Sequence, residues 1–426
     1  MRKSNLFLFL FLILIFTPVH AQEVKGSVSV DDLIQEALAN NREIKAARQE
    51  FEAAGHRVPQ ASALPDPTVG YAVMGPMLET TLGPQKDIYE FEQMVPFPGK
   101  LLERRKMAQT GVTAASARLK ETEREVALNV KETYYDLYAV WANLKILNEV
   151  VEALKKFESA AQARYASQQA EQRDVAKAQA KISETIQQVF VLRQERETLA
   201  AMLNALLNRE VNTSFEGIEK PPVPALNWDL EKLLEEAQKF RPELLEAKAM
   251  RQREQHASNL AKYEYAPDLS VGFQYYRIGN GDTSMEDDGR DAWMIPIKIT
   301  LPLWQNRIGP GVLEAKKNLE ASQANLEQTE NLTEYEIKNA YYKFTSAKQI
   351  VELYENALIP QAEIAFRSDQ AGYEAGRTDV LNLIDSEEVY LNSQMAYYNA
   401  LSDALKSFAA LERIVGRDIN REGGGG

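Results

Sequence analysis

The sequence predicts an α+β fold, mainly α-helical, in which one unit of helix, β-hairpin, long helix and return helix occurs twice. Three observations support this fold class. The two halves of the chain match each other in order, each half contains two stretches of alternating apolar and polar residues, and each then continues into a very long run with almost no Gly or Pro. Alternation with a period of two indicates strands, and long uninterrupted runs indicate helices.

The internal repeat has an offset of about 200 residues. The segment LIQEALANNREIKAAR from Leu33 matches LLEEAQKFRPELLEAK from Leu233, and PDPTVGY in the first half matches PDLSVGF in the second. A duplication of this size predicts that both halves follow the same supersecondary course. We expect a first structural repeat at 22–215, a second at 216–420 and a flexible tail at 421–426.

The N-terminus is predicted to be a cleaved secretory signal over residues 1–21. Arg2 and Lys3 precede an unbroken apolar run, Leu6–Phe16, and small residues around Ala21 give a cleavage site. This run is shorter than the ~20 apolar residues that a membrane-spanning helix needs. No later segment reaches that length without charges. A mature chain that enters a membrane must therefore do so as a closed β-barrel, because backbone polar groups cannot stay unpaired in lipid.

Four strands are predicted near 67–78, 87–96, 268–278 and 292–303, each with one apolar and one polar face. Pro296 is unfavourable within a central strand because it cannot donate to the ladder. Strands of about ten residues suit a tilted crossing of a bilayer. Four strands cannot close a barrel, so the chain must associate. Two copies would give eight strands with a filled interior, whereas three would give twelve and a water-filled lumen.

Long helices are predicted from Gly99 to Ser167 and from Gly309 to Gly372, roughly 100 Å each at the α-helical rise. A shorter return helix follows in each half, from Asp174 and from Asn382. Apolar residues of the first long helix recur mostly at spacings of three and four, which predicts a coiled-coil seam. These residues are Val126, Val130, Tyr134, Leu137, Trp141, Leu144, Val151 and Leu154.

Composition argues against several classes of function. The chain has no cysteine and a net charge of −13, which excludes thiolate chemistry and makes it a poor candidate for nucleic-acid binding. It contains neither a Gly-rich phosphate-binding loop nor a nucleophile elbow, so we predict no enzyme activity and no cofactor. His56 and His256 are repeat equivalents, but one histidine per helix is more typical of a surface residue than of a metal ligand.

The chain resembles the TolC-like outer membrane efflux proteins over essentially its whole mature length. The segments that carry the resemblance are LIQEALANN, FEQMVPFPGKLLERRKMA and AGRTDVLNLIDSEEVYLNSQMAYYNAL, and the PFPGK variant is most similar to the heavy-metal and cation efflux subgroup. The resemblance implies a homotrimer with a 12-stranded β-barrel in the outer membrane of a Gram-negative-type bacterium and an α-helical periplasmic tunnel. It also implies a passive exit duct with two partners, a periplasmic adaptor (membrane fusion) protein and an inner-membrane efflux pump.

The resemblance further implies a gate at the inner end of the tunnel, where acidic residues surround the pore. Counted from Gly376, these positions are Asn382 and Asp385, and Asp174 occupies the matching place in the first repeat. Asn382 departs from the family pattern, which has an acid there. A simpler interpretation is a helix-capping carboxylate at Asp174 and a solvated surface carboxylate at Asp385.

A soluble periplasmic coiled-coil adaptor or scaffold is the alternative function. Such a protein would have a single long helical hairpin flanked by compact β domains. This sequence instead repeats both the strands and the long helices, which favours the duct.

Overall fold

A computed structural model describes residues 28–75, 79–168, 171–215, 217–281 and 286–419. The signal predicted at 1–21 and the tail predicted at 421–426 lie outside the described residues.

Each half opens with two helices that are separated by a single residue. In the first half, α1 (Val30–Asn40) and α2 (Arg42–Ser62) meet at Asn41, whose side-chain oxygen accepts hydrogen bonds from the backbone N–H groups of Glu43 (2.8 Å) and Ile44 (3.2 Å). An asparagine in this extended conformation ends one helix and caps the next.

The second half repeats the break with different residues. Helices α5 (Leu230–Phe240) and α6 (Pro242–Tyr263) meet at Arg241, and proline occupies the first position of α6. The first backbone N–H groups of a helix have no acceptor within it, so proline costs little there. Two different local signals therefore place the break at the same point of both repeats.

The described strands are β1 (Thr68–Val73), β2 (Glu79–Thr80), β3 (Gly83–Val95), β4 (Leu269–Ile278), β5 (Ala292–Met294) and β6 (Ile297–Ile299). They form one antiparallel layer with the order β1, β3, β4 and then β5 and β6, while the short β2 pairs with β3. The β3–β4 pairing joins the two halves of the chain, and β1 and β5–β6 form the two open edges.

The strand predicted at 292–303 is not continuous in the structure. It is divided into β5 and β6 on either side of Ile295 and Pro296, and β6 ends at Ile299. Pro296 has no N–H for the ladder, although its carbonyl still accepts the N–H of Gly272 at 2.9 Å. The first strand ends at Val73, and the part predicted at 76–78 lies outside the described residues, while β3 begins at Gly83 rather than at residue 87.

Long helices occupy most of the remaining chain. Helix α3 (Pro98–Ala166) has 69 residues, and α4 (Gln172–Leu206) returns along it. In the second half, α7 (Gln305–Leu353) continues through a π-helical turn (Tyr354–Leu358) into α8 (Ile359–Glu374), and α9 (Val380–Val415) returns. None of the helices in the described ranges is long and apolar enough to cross a membrane.

The helices continue the single-layer arrangement of the strands. Nearer the strands they lie in the order α2, α3, α6, α7, and nearer the turns the order is α4, α3, α9, α8, with α7 also packing on α9. Buried seams between neighbouring helices stabilise the layer. One buried apolar cluster includes Val126, Val130, Tyr134 and Leu137 of α3 together with Leu401 and Leu405 of α9. Trp141 is an exception to the predicted seam, because its side chain is exposed.

Candidate functional site at the hairpin tips

Both long hairpins turn at the end of the molecule that lies away from the strands. The α3–α4 turn contains Gln168 with a φ of 60°, and the α8–α9 turn contains Gly376 with a φ of 68°. These two residues are repeat equivalents, and both adopt the left-handed conformation. Glycine does so at no steric cost, whereas Gln168 stores some strain there. The two turns thus share a key backbone conformation although one lacks glycine.

Asp174 caps the helix in which it lies. It is the third residue of α4, and its Oδ2 atom accepts a hydrogen bond from the backbone N–H of Glu171 at 3.3 Å. The Glu171 side chain in turn accepts from the N–H of Asp174, which completes a capping box. The Asp174 side chain is only 17% exposed, and Arg173 lies 3.7 Å away. These contacts satisfy the carboxylate within its own hairpin.

Asn382 and Asp385 lie together on an exposed face at the start of α9. The Oδ1 atom of Asp379 accepts the backbone N–H of Asn382 at 3.0 Å, which caps the helix and leaves the Asn382 side chain in solvent. Asp385 follows three residues later on the same helical face. Its carboxylate is exposed and makes no hydrogen bond or ion pair within the described ranges of the chain.

A contact between the two hairpins was not predicted from the sequence. The guanidinium group of Arg164, near the end of α3, lies 4.5 Å from the ring centroid of Tyr373 near the end of α8. Its Nη2 atom also donates to the Tyr373 carbonyl at 3.4 Å. A cation over an aromatic face is attracted by the ring quadrupole. No motif marks either residue, so only the three-dimensional structure reveals this contact.

Comparison with known proteins identifies the family. The sequence profile of the outer membrane efflux proteins matches residues 33–209 and 233–417, most of both halves. The chain belongs to this family. The efflux protein is also 21% identical over 410 residues to the cobalt-zinc-cadmium resistance protein CzcC of Cupriavidus metallidurans, an alignment that covers 94% of the chain and 93% of CzcC.

Solved outer-membrane channels have the same fold. The outer-membrane channel OprN superposes with a TM-score of 0.79 at 17% identity, covering 92% of the efflux protein and 90% of OprN. VceC of Vibrio cholerae gives 0.76 at 20% identity, covering 92% and 97%. The MtrE channel of Neisseria gonorrhoeae, in its open state, gives 0.74 at 16% identity, covering 92% and 90%.

These comparisons confirm the prediction of an outer-membrane efflux channel with a large periplasmic portion. The chain's homologues are trimeric outer-membrane channels of tripartite efflux systems with adaptor and inner-membrane pump partners, as the resemblance implied. The alternative of a soluble adaptor or scaffold is set aside. The efflux protein's relatives are channel proteins rather than enzymes.

A buried carboxyl group lies beneath the exposed face of α9. Glu387 is only 4% exposed, and it shares a helical face with the buried Leu383 and with Leu391. Burial raises the pKa of Glu387 to about 7, and the nearby Lys181 opposes this rise. The apolar spacing of Leu383 and Leu391 around Glu387 was the signal that could have identified it from the sequence.

Lys181 connects the two return helices of the efflux protein. Its Nζ atom lies 2.8 Å from Glu388 of α9 and 3.1 Å from Glu184 of its own helix. These two carboxylates favour the charged form and raise the pKa of Lys181 against the opposing effect of its partial burial. The cation thereby ties α4 to α9 one turn above the exposed face that carries Asp385.

Proposed function

We propose that the efflux protein is a passive exit duct whose inner aperture lies at the hairpin tips, with Asn382 and Asp385 facing the pore. The observation that supports this assignment is the free, exposed carboxylate of Asp385, one turn inside a capped helix end. In a trimer, three such carboxylates around one axis would attract cations and repel each other. Each repeat, 22–215 and 216–420, supplies one hairpin to this aperture.

Asp174 has a different place in the proposed aperture. Its carboxylate already caps α4, so we propose that it borders the pore and holds the first-repeat hairpin in shape. The departure at Asn382 removes one ring of charge and leaves Asp385 as the principal acidic ring. We also propose that the duct itself catalyses no reaction, in keeping with relatives that are channel proteins.

Block of single-channel current in planar bilayers tests the aperture. We expect the purified trimer to conduct and to be blocked by multivalent cations added on the tunnel side. Asp385→Ala should require a higher cation concentration for half-block, because the ring of three carboxylates is lost. Glu149→Ala is the matched control, since Glu149 is also exposed but lies far along α3 from the turn. An equal change in the half-blocking concentration of both variants, or no change in Asp385→Ala, would show that Asp385 does not line the pore.

We infer that the transported class is divalent metal cations. The support is the relationship to a cobalt-zinc-cadmium resistance protein along nearly the full length of both chains. Deleting the channel from its natural host should lower tolerance to cobalt, zinc and cadmium salts, and the gene supplied in trans should restore it. Unchanged metal tolerance together with sensitivity to hydrophobic drugs would contradict this assignment but would leave the duct intact.

A further inference from the structure

The two β-hairpins of the chain have the same internal register. Val69 pairs with Phe91 in the first hairpin, and Val271 pairs with Ile297 in the second. Matching PDPTVGY to PDLSVGF aligns Val69 with Val271, and matching FEQMVPF to IKITLPL separately aligns Phe91 with Ile297. One hairpin is thus a positional copy of the other, although Pro296 interrupts its second strand.

The seam between these hairpins shows how two such units join. Strands β3 and β4 pair with Val95 opposite Leu269 and Gln93 opposite Val271. At the foot of the seam, Asp268 accepts the backbone N–H of Phe97 at 2.8 Å and binds Lys100 through both carboxylate oxygens, at 3.0 and 2.9 Å. Lys100 is almost fully buried, so this polar clamp of Asp268 with Phe97 and Lys100 belongs to the interior of the seam.

Within the part of the chain that the structure describes, the outer edges of the sheet have no such partner. Val69 is 82% exposed on β1 and Ile297 is 67% exposed on β6, whereas Val271 on the central β4 is 38% exposed. The strand edges themselves also carry unpaired backbone groups, which cannot remain unpaired in lipid. Each edge can therefore pair with a further strand, and a neighbouring subunit of the homotrimer supplies that strand.

We infer that β6 of one subunit pairs with β1 of the next in the register that the internal β3–β4 seam dictates. This inference rests on the trimeric duct proposed above. Transferring the internal pairing by repeat equivalence places Ile299 opposite Val69 of the partner subunit, Ile297 opposite Tyr71 of the partner subunit and Thr300 opposite Thr68 of the partner subunit. The two apolar edges then share one lipid-facing surface.

A polar clamp accompanies this pairing. Asp66 is the repeat equivalent of Asp268, and in the described chain its exposed carboxylate has no hydrogen bond or ion pair. In the trimer it takes the place of Asp268 and faces the equivalents of Phe97 and Lys100, which are Leu303 and Asn306 on the other side of the seam. An asparagine replaces the lysine, so an uncharged amide faces the Asp66 carboxylate in the seam between subunits, where the internal seam has an ion pair.

Disulfide cross-linking tests the register directly, because the chain has no cysteine of its own. Thr68→Cys combined with Thr300→Cys places two thiols opposite each other, within the ~4.4–6.8 Å Cα separation that a disulfide requires. Mild oxidation of the trimer should give covalent dimers and trimers on a reducing-agent-free denaturing gel. Thr68→Cys combined with Lys298→Cys is the matched control, displaced by two residues or roughly 7 Å along the strand, and should give none.

The possible outcomes distinguish an error in the proposed strand register from an error in the proposed trimeric duct. A wild-type protein that is monomeric after membrane extraction would overturn the duct. A heat-sensitive wild-type trimer whose Thr300→Cys pair fails to cross-link, or whose Lys298→Cys pair cross-links better, would overturn the register and leave the duct standing.

The clamp has its own test in a double-mutant cycle. Asn306→Lys should recreate the internal ion pair with Asp66 of the partner subunit and raise the temperature at which the trimer dissociates on unboiled gels. The same substitution in an Asp66→Ala background should give no such rise. A rise of equal size in both backgrounds, or no rise in either, would overturn the assignment of Asp66 as the partner of Asn306.

Discussion

At the scale of single residues, Glu387 is an acidic group held in apolar surroundings. Its carboxyl group lies in an apolar seam of α9, and burial raises its pKa to about 7. Because this carboxyl group has a higher pKa in the folded state than in the unfolded state, it does not lower the free energy of unfolding at a pH below its ordinary pKa. The packed seam loses stability as pH rises from the ordinary value through about 7, by about 3 kcal/mol in total.

Hydrogen exchange of the first turns of α9 measures this cost. Glu387→Gln removes the ionisation while keeping the shape, so at pH 8 we expect at least tenfold slower opening of these turns than in the wild type. At pH 5 the two proteins should differ little, because the wild-type carboxyl group is then protonated in the seam. Glu388→Gln is the control, and it should instead loosen the same turns by breaking the contact with Lys181. A pH-independent difference between Glu387→Gln and wild type would contradict the prediction.

At the scale of elements, the sequence predicted the kinds and order of the helices and strands because both halves carry the same periodicities. The details that it missed depend on single residues and on packing. Pro296 divides the last strand, and a π-helical turn precedes Pro360 because proline supplies no N–H to the helix. Trp141 has seam spacing but lies on an exposed face, since the helices form a single layer with two open sides.

The candidate site could be predicted only partly from the sequence, because its contacts also depend on single residues and on packing. Counting from Gly376 assigned Asn382 and Asp385 to the gate, which stays a prediction, and the structure describes both side chains as exposed near the start of α9. The capping box at Asp174 and the contact of Arg164 with Tyr373 depend on the turn geometry and on how the hairpins sit side by side. Neither depends on a spacing that can be read along one chain.

At the scale of the whole molecule, the helices and the strands are stabilised by different means. The helices bury apolar seams within one subunit, as Tyr138 and Tyr398 do between α3 and α9. In the described ranges the strands make their main contacts with one another, and their large apolar side chains, such as Val69 and Phe273, stay exposed in the single chain. The helical part can therefore remain folded in one subunit, whereas the sheet depends on its neighbours and on lipid.

Heating the detergent-solubilised trimer distinguishes these two sources of stability. We expect the strand component of the infrared amide I band to be lost at the temperature at which the trimer disappears from unboiled gels. Much of the helical component should persist to a higher temperature, because its seams lie within each subunit. Asp66→Ala should lower the first transition and leave the second unchanged, since Asp66 lies at the seam between subunits. Loss of helix and strand in one transition, or strands that outlast the trimer, would show that the sheet does not depend on its neighbours.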